Sequence, residues 1–432
     1  MFKKYTLSNG LRLVLAPMKG AQSLTVLVLV GTGSKYETRE INGLSHFLEH
    51  MFFKGTKKRP TTLEIASALD EVGGSYNAFT SKEFTGFWAK VDSQHAELAL
   101  DWVADIFLNS KLEEAEIEKE KGVIIEEINM YLDTPITNIW NVWEQLLYGD
   151  QPAGWLTVGE KEIIRAIKKE QFLRYLESQY VAKNTIVVVA GNIEEFQNSR
   201  LRQGYSGQAN IKIQNYFKNI KAGDFKNKLK TIEKQKKPEV KLSFKETDQS
   251  HFVLGVRSYD IFDEKRYPAL LLATILGGYM SSRLFIEVRE RRGLAYYIRS
   301  AHETYTDSGY LVANAGVDNK RVEEAVKVII EEFKKIRDEK IFPAELKKAK
   351  DHIRGATLLA LESSDEVASF LGSQEVIRQD ILTPEQFFSK IEKVKIEDLQ
   401  RIARQIFRPQ NLNLALIGPF KEKEKFYKLL KL

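Results

Sequence analysis

The chain has 432 residues, 43% of them hydrophobic and 29% charged, with a formal net charge of +6; this composition is typical of a globular protein and excludes a disordered or fibrous one. A chain of this length has enough material for about two or three domains with buried cores. Because it contains no cysteine, disulfides and thiolate metal sites are excluded, and any metal ligands must be histidines and carboxylates.

The N-terminal region does not have the pattern of a signal peptide. Polar residues begin at Lys3, too early for an apolar core, and no small-residue cleavage site follows. Ser8, Asn9 and Gly10 instead predict a turn between two short strands. No run of about eighteen apolar residues occurs along the chain, so we expect a cytoplasmic protein with no membrane partner.

Two of the six histidines lie in one predicted helix that follows a buried strand. The apolar run Leu24–Val30 has the length of a strand, and residues 40–53 have apolar side chains at helical spacing. His46 and His50 are four positions apart, so their imidazoles project from one side of this helix, together with the carboxylate of Glu49.

That arrangement is the inverted motif His-x-x-Glu-His, the inverzincin signature. Two neutral imidazoles suit Zn²⁺, but a catalytic zinc usually has a third protein ligand and a fourth position for water. Glu49 lies where a carboxylate could accept a proton from that water. The alternative is a surface helix whose His and Glu side chains are only solvated.

The helix predicted over residues 113–132 can supply the third ligand. Glu120 and Glu127 are seven positions apart and share a face. Spacing alone also allows Glu126, and solvent exposure is the alternative for each of these acids. The elements predicted before this helix are a helix over 61–72, strands over 75–80 and 85–91, and a helix over 95–110.

A polar, basic connector follows the first half of the chain. A helix over 163–180 and an apolar strand over 185–190 precede it, and we assign the connector to residues 201–239, where lysine and arginine outnumber the acids. This basic character raises the possibility of nucleic-acid binding. A localised basic linker is more often a solvated connector than a binding groove, so no nucleic-acid partner is expected.

The second half repeats the order of elements of the first at a period of roughly 220 residues, which indicates duplication. We therefore divide the chain into an N-terminal domain, 1–200, and a homologous C-terminal domain, 240–432. The elements predicted in the second domain are strands over 240–244, 251–256, 295–304, 309–315 and 412–417, and helices over 269–288, 322–339, 343–363 and 397–407.

The second copy lacks the metal motif. Residues 269–279, at the corresponding place, contain neither histidine nor acid. Instead, this half carries Arg289 and Tyr296, seven positions apart in the segment Arg-Glu-Arg-Arg-Gly-Leu-Ala-Tyr. We infer that one copy of the fold carries the metal chemistry, whereas the other contributes positioning groups.

Taken together, these segments resemble the pitrilysin and insulinase superfamily of inverted-motif zinc peptidases. The chain is most similar to the bacterial short-chain branch that is related to the β subunit of the mitochondrial processing peptidase. The resemblance runs along nearly the whole chain and is carried by the segments Gly43–Thr56, Gly73–Thr80, Glu120–Ile128 and Leu276–Tyr296.

The resemblance implies a complete zinc site. By position, His46, His50 and Glu127 correspond to the ligands of one Zn²⁺ per chain, which decides against Glu126. Glu49 corresponds to the catalytic base.

The resemblance also implies residues around this site. Glu120 corresponds to an acid that supports the metal site, and Arg289 and Tyr296 correspond to a pair that contacts the substrate or the transition state. A peptide substrate would add as a strand to an exposed sheet edge. The residues expected to bind it lie in the strand predicted over 75–80: Asn77, Ala78 and Phe79.

The fold implied by the resemblance is α+β, with two homologous domains that each consist of a mainly antiparallel twisted sheet covered by helices. Short-chain relatives pair two chains into a clamshell that encloses a chamber, and some pairs divide the zinc ligands and the Arg/Tyr pair between subunits. Because both sets occur here in one chain, we expect a homodimer.

The sequence therefore predicts a zinc metalloendopeptidase that hydrolyses unfolded peptides or presequence-like segments inside such a chamber. The alternative is a non-catalytic peptide-binding or scaffold homologue. The complete set of ligands and the base favour the enzyme, because function follows from the chemistry of a site more than from its fold.

Overall fold

The chain divides into two units in a computed structural model, which describes residues 2–193 and 207–432, with backbone alone at 207–211. Residues 201–206 of the predicted connector lie outside the described residues. The first unit comprises Met1–Ile128, Leu156–Leu229 and Leu358–Thr383; the second comprises Asn129–Trp155, Lys230–Thr357 and Pro384–Leu432. The predicted domains, 1–200 and 240–432, were each one continuous stretch of chain. In these units, Asn129–Trp155 from the first half belongs to the second unit, and Leu358–Thr383 from the second half belongs to the first unit.

The first unit contains a sheet of six strands. They are β1 Lys3–Thr6, β2 Arg12–Pro17, β3 Ser23–Val30, β4 Ser75–Thr80, β5 Thr85–Asp92 and β6 Thr185–Gly191. Their order across the sheet is β1-β2-β6-β3-β5-β4, in which β2 pairs with β6 in parallel and the other pairs are antiparallel. The central strands β3 and β6 are buried along almost their whole length, which explains their continuous apolar, β-branched sequences.

The second unit contains a sheet with the same topology. Its strands are β7 Glu239–Phe244, β8 Gln249–Arg257, β9 Ala295–Thr304, β10 Gly309–Asp318 and β11 Asn413–Gly418. The order β7-β11-β8-β10-β9, with β7 and β11 parallel, repeats that of the first sheet without its edge strand β1. The predicted α+β fold of two similar, mainly antiparallel domains is confirmed.

The helices cover both sheets. The first eight are α1 Leu44–Met51, α2 Thr62–Asp70, α3 Ala96–Asn109, α4 Glu114–Asp133, α5 Pro135–Tyr148, α6 Lys161–Ala166, α7 Lys169–Gln179 and α8 Gly207–Phe217. The others are α9 Arg266–Gly277, α10 Val322–Asp338, α11 Pro343–Ala360, α12 Ser364–Arg378, α13 Pro384–Glu392, α14 Ile396–Ile406 and α15 Glu424–Tyr427. Among the described residues, no helix combines the length and apolar character needed to cross a bilayer.

Two of the predicted helices are interrupted. The one predicted over 163–180 is the pair α6 and α7, because the Gln171 side chain accepts a hydrogen bond from the backbone of Lys168 at 2.8 Å and begins a new helix there. The one predicted over 269–288 ends at Gly277, where the backbone approaches β9 so closely that a Cβ would lie 2.3 Å from the Ser300 nitrogen. A separate π-helical turn, Phe285–Glu290, follows.

Helices α5 and α12, which the sequence analysis did not predict, form the segments exchanged between the units. In the second unit α5 packs on β8 and β11, with the Trp143 ring edge-on to Tyr310 at 5.8 Å. In the first unit α12 packs on β3 and β6, and a Cβ at Gly372 would lie 2.7 Å from Leu29 Cδ1. The buried Glu375 of α12 also pairs with Lys4 at 2.7 Å. Because α5 and α12 pack on strands that are distant in the sequence, each helix belongs to the unit built mainly from the other half of the chain.

Gln379→Gly is expected to stabilise the first unit. Gln379 is an exposed residue at the C-terminal cap of α12 with φ +56°, a left-handed conformation that glycine adopts without strain. Relief of the left-handed strain, about 1 to 2 kcal/mol, outweighs the flexibility that glycine adds to the unfolded chain, about 0.4 to 1 kcal/mol. We therefore expect the free energy of unfolding, measured by urea denaturation, to rise by about 0.5 to 1 kcal/mol. Gln379→Val, a β-branched residue unsuited to this conformation, is the control and should lower it; a gain with valine would contradict the explanation.

Candidate metal centre

A buried carboxylate holds the N-terminus of helix α1, which carries the two motif histidines. Glu37 accepts hydrogen bonds from the backbone nitrogens of Gly43 at 2.8 Å and Ser45 at 2.7 Å. Backbone N–H groups at the start of a helix have no hydrogen-bond partner within the helix, and the helix dipole favours a negative charge at this end. Burial raises the pKa of Glu37, and the hydrogen bonds only partly offset this effect. Glu37 was not among the residues predicted from the sequence, since its contacts follow from the turn before the helix.

Three side chains, two from α1 and one from α4, converge at one place. His46 Nε2 lies 3.5 Å from Glu127 Oε1, and His50 Nε2 lies 3.3 Å from Glu127 Oε2. One potential ligand atom from each of the three residues lies within 4.8 Å of the others. In residues 2–193 and 207–432, no other group of three or more His, Asp or Glu side chains meets this criterion.

This set of donors fits a divalent metal ion. Both imidazoles direct Nε2 towards one carboxylate, and two imidazoles with one carboxylate form a known ligand set of catalytic zinc sites. Helix α4 turns Glu127 towards the histidines because Ile124 and Ile128 are buried beneath it. Glu126, the alternative allowed by spacing, is exposed and is not part of the cluster.

Glu120 links the cluster to Lys54. Its Oε1 lies 2.9 Å from His50 Nδ1, and its Oε2 lies 2.5 Å from Lys54 Nζ. Burial alone would raise the pKa of Glu120, but the hydrogen bonds from His50 and Lys54 lower it below its usual value. A carboxylate on the second imidazole nitrogen fixes the orientation of the ring. Lys54 was missed by the sequence analysis, although it lies within the segment 43–56.

The same carboxylates determine the charge of His50. Burial alone would lower the pKa of His50, but hydrogen bonds to Glu120 and Glu127 raise it to about 9. Burial alone would raise the pKa of Glu127, but hydrogen bonds from His46 and His50 hold it well below its usual range. Without a metal ion, His50 is therefore protonated near neutral pH.

Glu49 is not one of the three converging side chains, and it is hydrogen-bonded to strand β4. Its Oε2 accepts a hydrogen bond from Thr80 Oγ1 at 2.6 Å. Thr80 is the last residue of β4, so this contact joins helix α1 to an edge strand of the first sheet.

The predicted substrate-binding residues lie on β4. Asn77 is exposed, and its Oδ1 accepts a hydrogen bond from the backbone nitrogen of Ala78 at 2.9 Å. Ala78 is buried, and the ring of Phe79 packs edge-on against Phe84 at 6.0 Å. Since β4 is the last strand in the sheet order, its outer edge offers backbone groups to an extended peptide.

Arg289 and Tyr296 lie in the second unit and contact each other there. The Arg289 guanidinium lies 5.6 Å from the centre of the Tyr296 ring and 4.7 Å from that of Phe285. The register of β9 shifts at Tyr296, which has no partner on β10, and the residue is 78% exposed. A β-bulge of this kind redirects a side chain, and here it turns Tyr296 outward.

Two family models match the sequence: insulinase (peptidase family M16) over residues 12–147 and the peptidase M16 inactive domain over residues 166–353. An uncharacterized zinc protease of Bacillus subtilis is 36% identical over 97% of this chain and 98% of its own length. A protein of Mycobacterium leprae with the same description is 34% identical, over 97% of this chain and 92% of its own.

Solved structures share the fold. A protease from Helicobacter pylori has a TM-score of 0.88 at 24% identity, covering 97% of this chain and 99% of its own. A peptidase M16 inactive domain from Pseudomonas fluorescens has a TM-score of 0.87 at 17% identity, covering 98% of both chains.

Proposed function

The chain belongs to the insulinase (peptidase M16) family, and we propose that it is a zinc-dependent endopeptidase that hydrolyses unfolded or presequence-like peptides. The observation that carries the proposal is the convergence of His46 and His50 on α1 with Glu127 on α4. Glu49 is the residue next to His50 on α1. The description of similar chains as zinc proteases supports the proposal.

The proposed ligands of one Zn²⁺ per chain are His46, His50 and Glu127. A zinc ion held there would supply Lewis-acid polarisation of a water molecule and of the scissile carbonyl. Glu120 keeps the His50 ring in place through Nδ1, and Lys54 balances the charge of Glu120. These contacts prepare the ligand set before the metal binds.

Glu49 is the proposed general base. None of the described residues donates a hydrogen bond to its Oε1. This oxygen can therefore accept a proton from the attacking water and return it to the leaving amine. The peptide adds as a strand along the outer edge of β4, with Asn77, Ala78 and Phe79 in contact with it. The role of Arg289 and Tyr296 in substrate contact stays a prediction from the resemblance. The homodimer and its enclosed chamber also stay predictions, and a molar-mass measurement would test the homodimer.

Zinc binding is expected to release about one proton per site near pH 7.5. The pKa of His50 is raised to about 9, so the metal-free protein must lose this proton before His50 can act as a ligand. Apparent zinc affinity should therefore rise by about tenfold per pH unit and level off above about pH 9. Calorimetric titrations in two buffers of different ionisation enthalpy measure the released protons; no release at pH 7.5 would contradict the assignment of His50.

The function itself is tested with a mixed library of unfolded peptides, whose products are identified by mass spectrometry. We expect internal cleavage by the zinc-loaded protein, loss of cleavage after treatment with a chelator, and recovery on adding Zn²⁺. The same segments placed inside a stable folded protein are the control and should remain intact. If the fully zinc-loaded protein cleaves no peptide, the endopeptidase proposal is wrong, and a peptide-binding homologue becomes the better interpretation.

A further inference from the structure

We propose that Thr80 is a positioning residue that holds the carboxylate of Glu49 in the orientation needed for proton transfer. This inference rests on the proposed peptidase function. Its starting observation is the hydrogen bond that Thr80 Oγ1 donates to Glu49 Oε2 at 2.6 Å, a length typical of a hydroxyl bonded to a carboxylate.

The chain fixes Thr80 more firmly than it fixes Glu49. A glutamate side chain has three rotatable torsions and loses considerable entropy when it is held in one orientation. Threonine is β-branched and stiff about its first torsion, and Thr80 is paired with Thr85 in the antiparallel β4–β5 ladder. The turn after it is closed by the Ser81 hydroxyl, which donates to the Phe84 carbonyl at 2.8 Å. The hydroxyl of Thr80 is therefore an anchored donor.

The hydrogen bond gives the two oxygens of Glu49 different roles. A threonine hydroxyl has one proton to donate, and Thr80 directs it to Oε2. None of the described residues donates to Oε1, so that oxygen remains available to a water molecule. The anchor also belongs to β4, the strand whose outer edge we propose for the peptide. Thr80 thus links the position of the base to the strand that would align the substrate.

The test compares Thr80→Val, which keeps the shape but removes the hydroxyl, with Thr80→Ser, which keeps the hydroxyl. For Thr80→Val we expect kcat to fall by about 10- to 100-fold, the range for losing a hydrogen bond to a charged group, with KM changed by less than about twofold. Zinc content should remain that of the unmodified protein. The affinity for a peptide whose scissile amide is reduced should also be unchanged, and Thr80→Ser should recover most of kcat.

A matched control is Thr85→Val, directly across the strand pair. The Thr85 hydroxyl donates to the Thr32 carbonyl at 2.9 Å instead of to Glu49, so this variant loses a hydroxyl from the same hairpin and should retain kcat. If the unmodified protein cleaves peptides but Thr80→Val keeps its kcat, or Thr80→Ser is as slow as Thr80→Val, the role of Thr80 is overturned while the peptidase function stands. If the zinc-loaded unmodified protein cleaves nothing, the proposed function fails, and the role of Thr80 fails with it.

Discussion

Glu49→Gln is expected to abolish peptide cleavage while leaving the metal site intact. Glutamine keeps the size of the side chain and can still accept the hydrogen bond from Thr80, but its amide cannot accept a proton from water. General-base catalysis contributes about 10²- to 10⁴-fold in rate, so kcat should fall by about that factor. Glu49 is not one of the three converging residues, and zinc content measured by mass spectrometry should be unchanged.

The matched control for this charge change is Glu40→Gln. Glu40 is exposed in the short 3₁₀ turn Arg39–Ile41, just before α1, so its replacement removes one negative charge near the same helix without touching the cluster. It should retain full activity. Undiminished cleavage by Glu49→Gln would eliminate Glu49 as the base. Loss of zinc together with activity would instead show that Glu49 supports metal binding.

Glu127→Gln is expected to remove zinc from the protein. The Glu127 carboxylate lies against Nε2 of both His46 and His50, and a neutral amide is a much weaker ligand for a divalent metal than a carboxylate. Changes in residues that only support a metal ligand typically cost about 10- to 100-fold in affinity; we therefore expect a loss greater than about 100-fold for the ligand itself. Dialysis against buffered zinc, followed by metal analysis, measures it.

Glu126→Gln distinguishes loss of the ligand from loss of charge. Glu126 is the neighbouring residue on α4, is exposed and does not belong to the cluster, so this variant has the same change in net charge and helix composition. It should bind zinc as the unmodified protein does, and zinc should raise the unfolding temperature of Glu126→Gln but not that of Glu127→Gln. The reverse pattern would reassign the third ligand to Glu126.

Local spacing was sufficient to predict the pair of histidines in the candidate site. His46 and His50 fall on one side of α1 because helical geometry is set within a few residues. The proposed third ligand was different: spacing left Glu120, Glu126 and Glu127 open, and the resemblance to a family was needed to choose among them. In the structure, buried isoleucines orient α4 so that Glu120 and Glu127 face α1 and Glu126 faces outward.

The amino-acid sequence by itself determined the strands of both sheets, the duplication and the helix that carries the histidines, since these depend on local periodicity and repetition. Only the tertiary structure decided which unit α5 and α12 join, and which side chains besides Glu120 support the candidate metal site. Glu37, Lys54 and Thr80 have their roles through contacts with other elements or turns. Such contacts depend on how separate segments pack, and no short stretch of sequence encodes that packing.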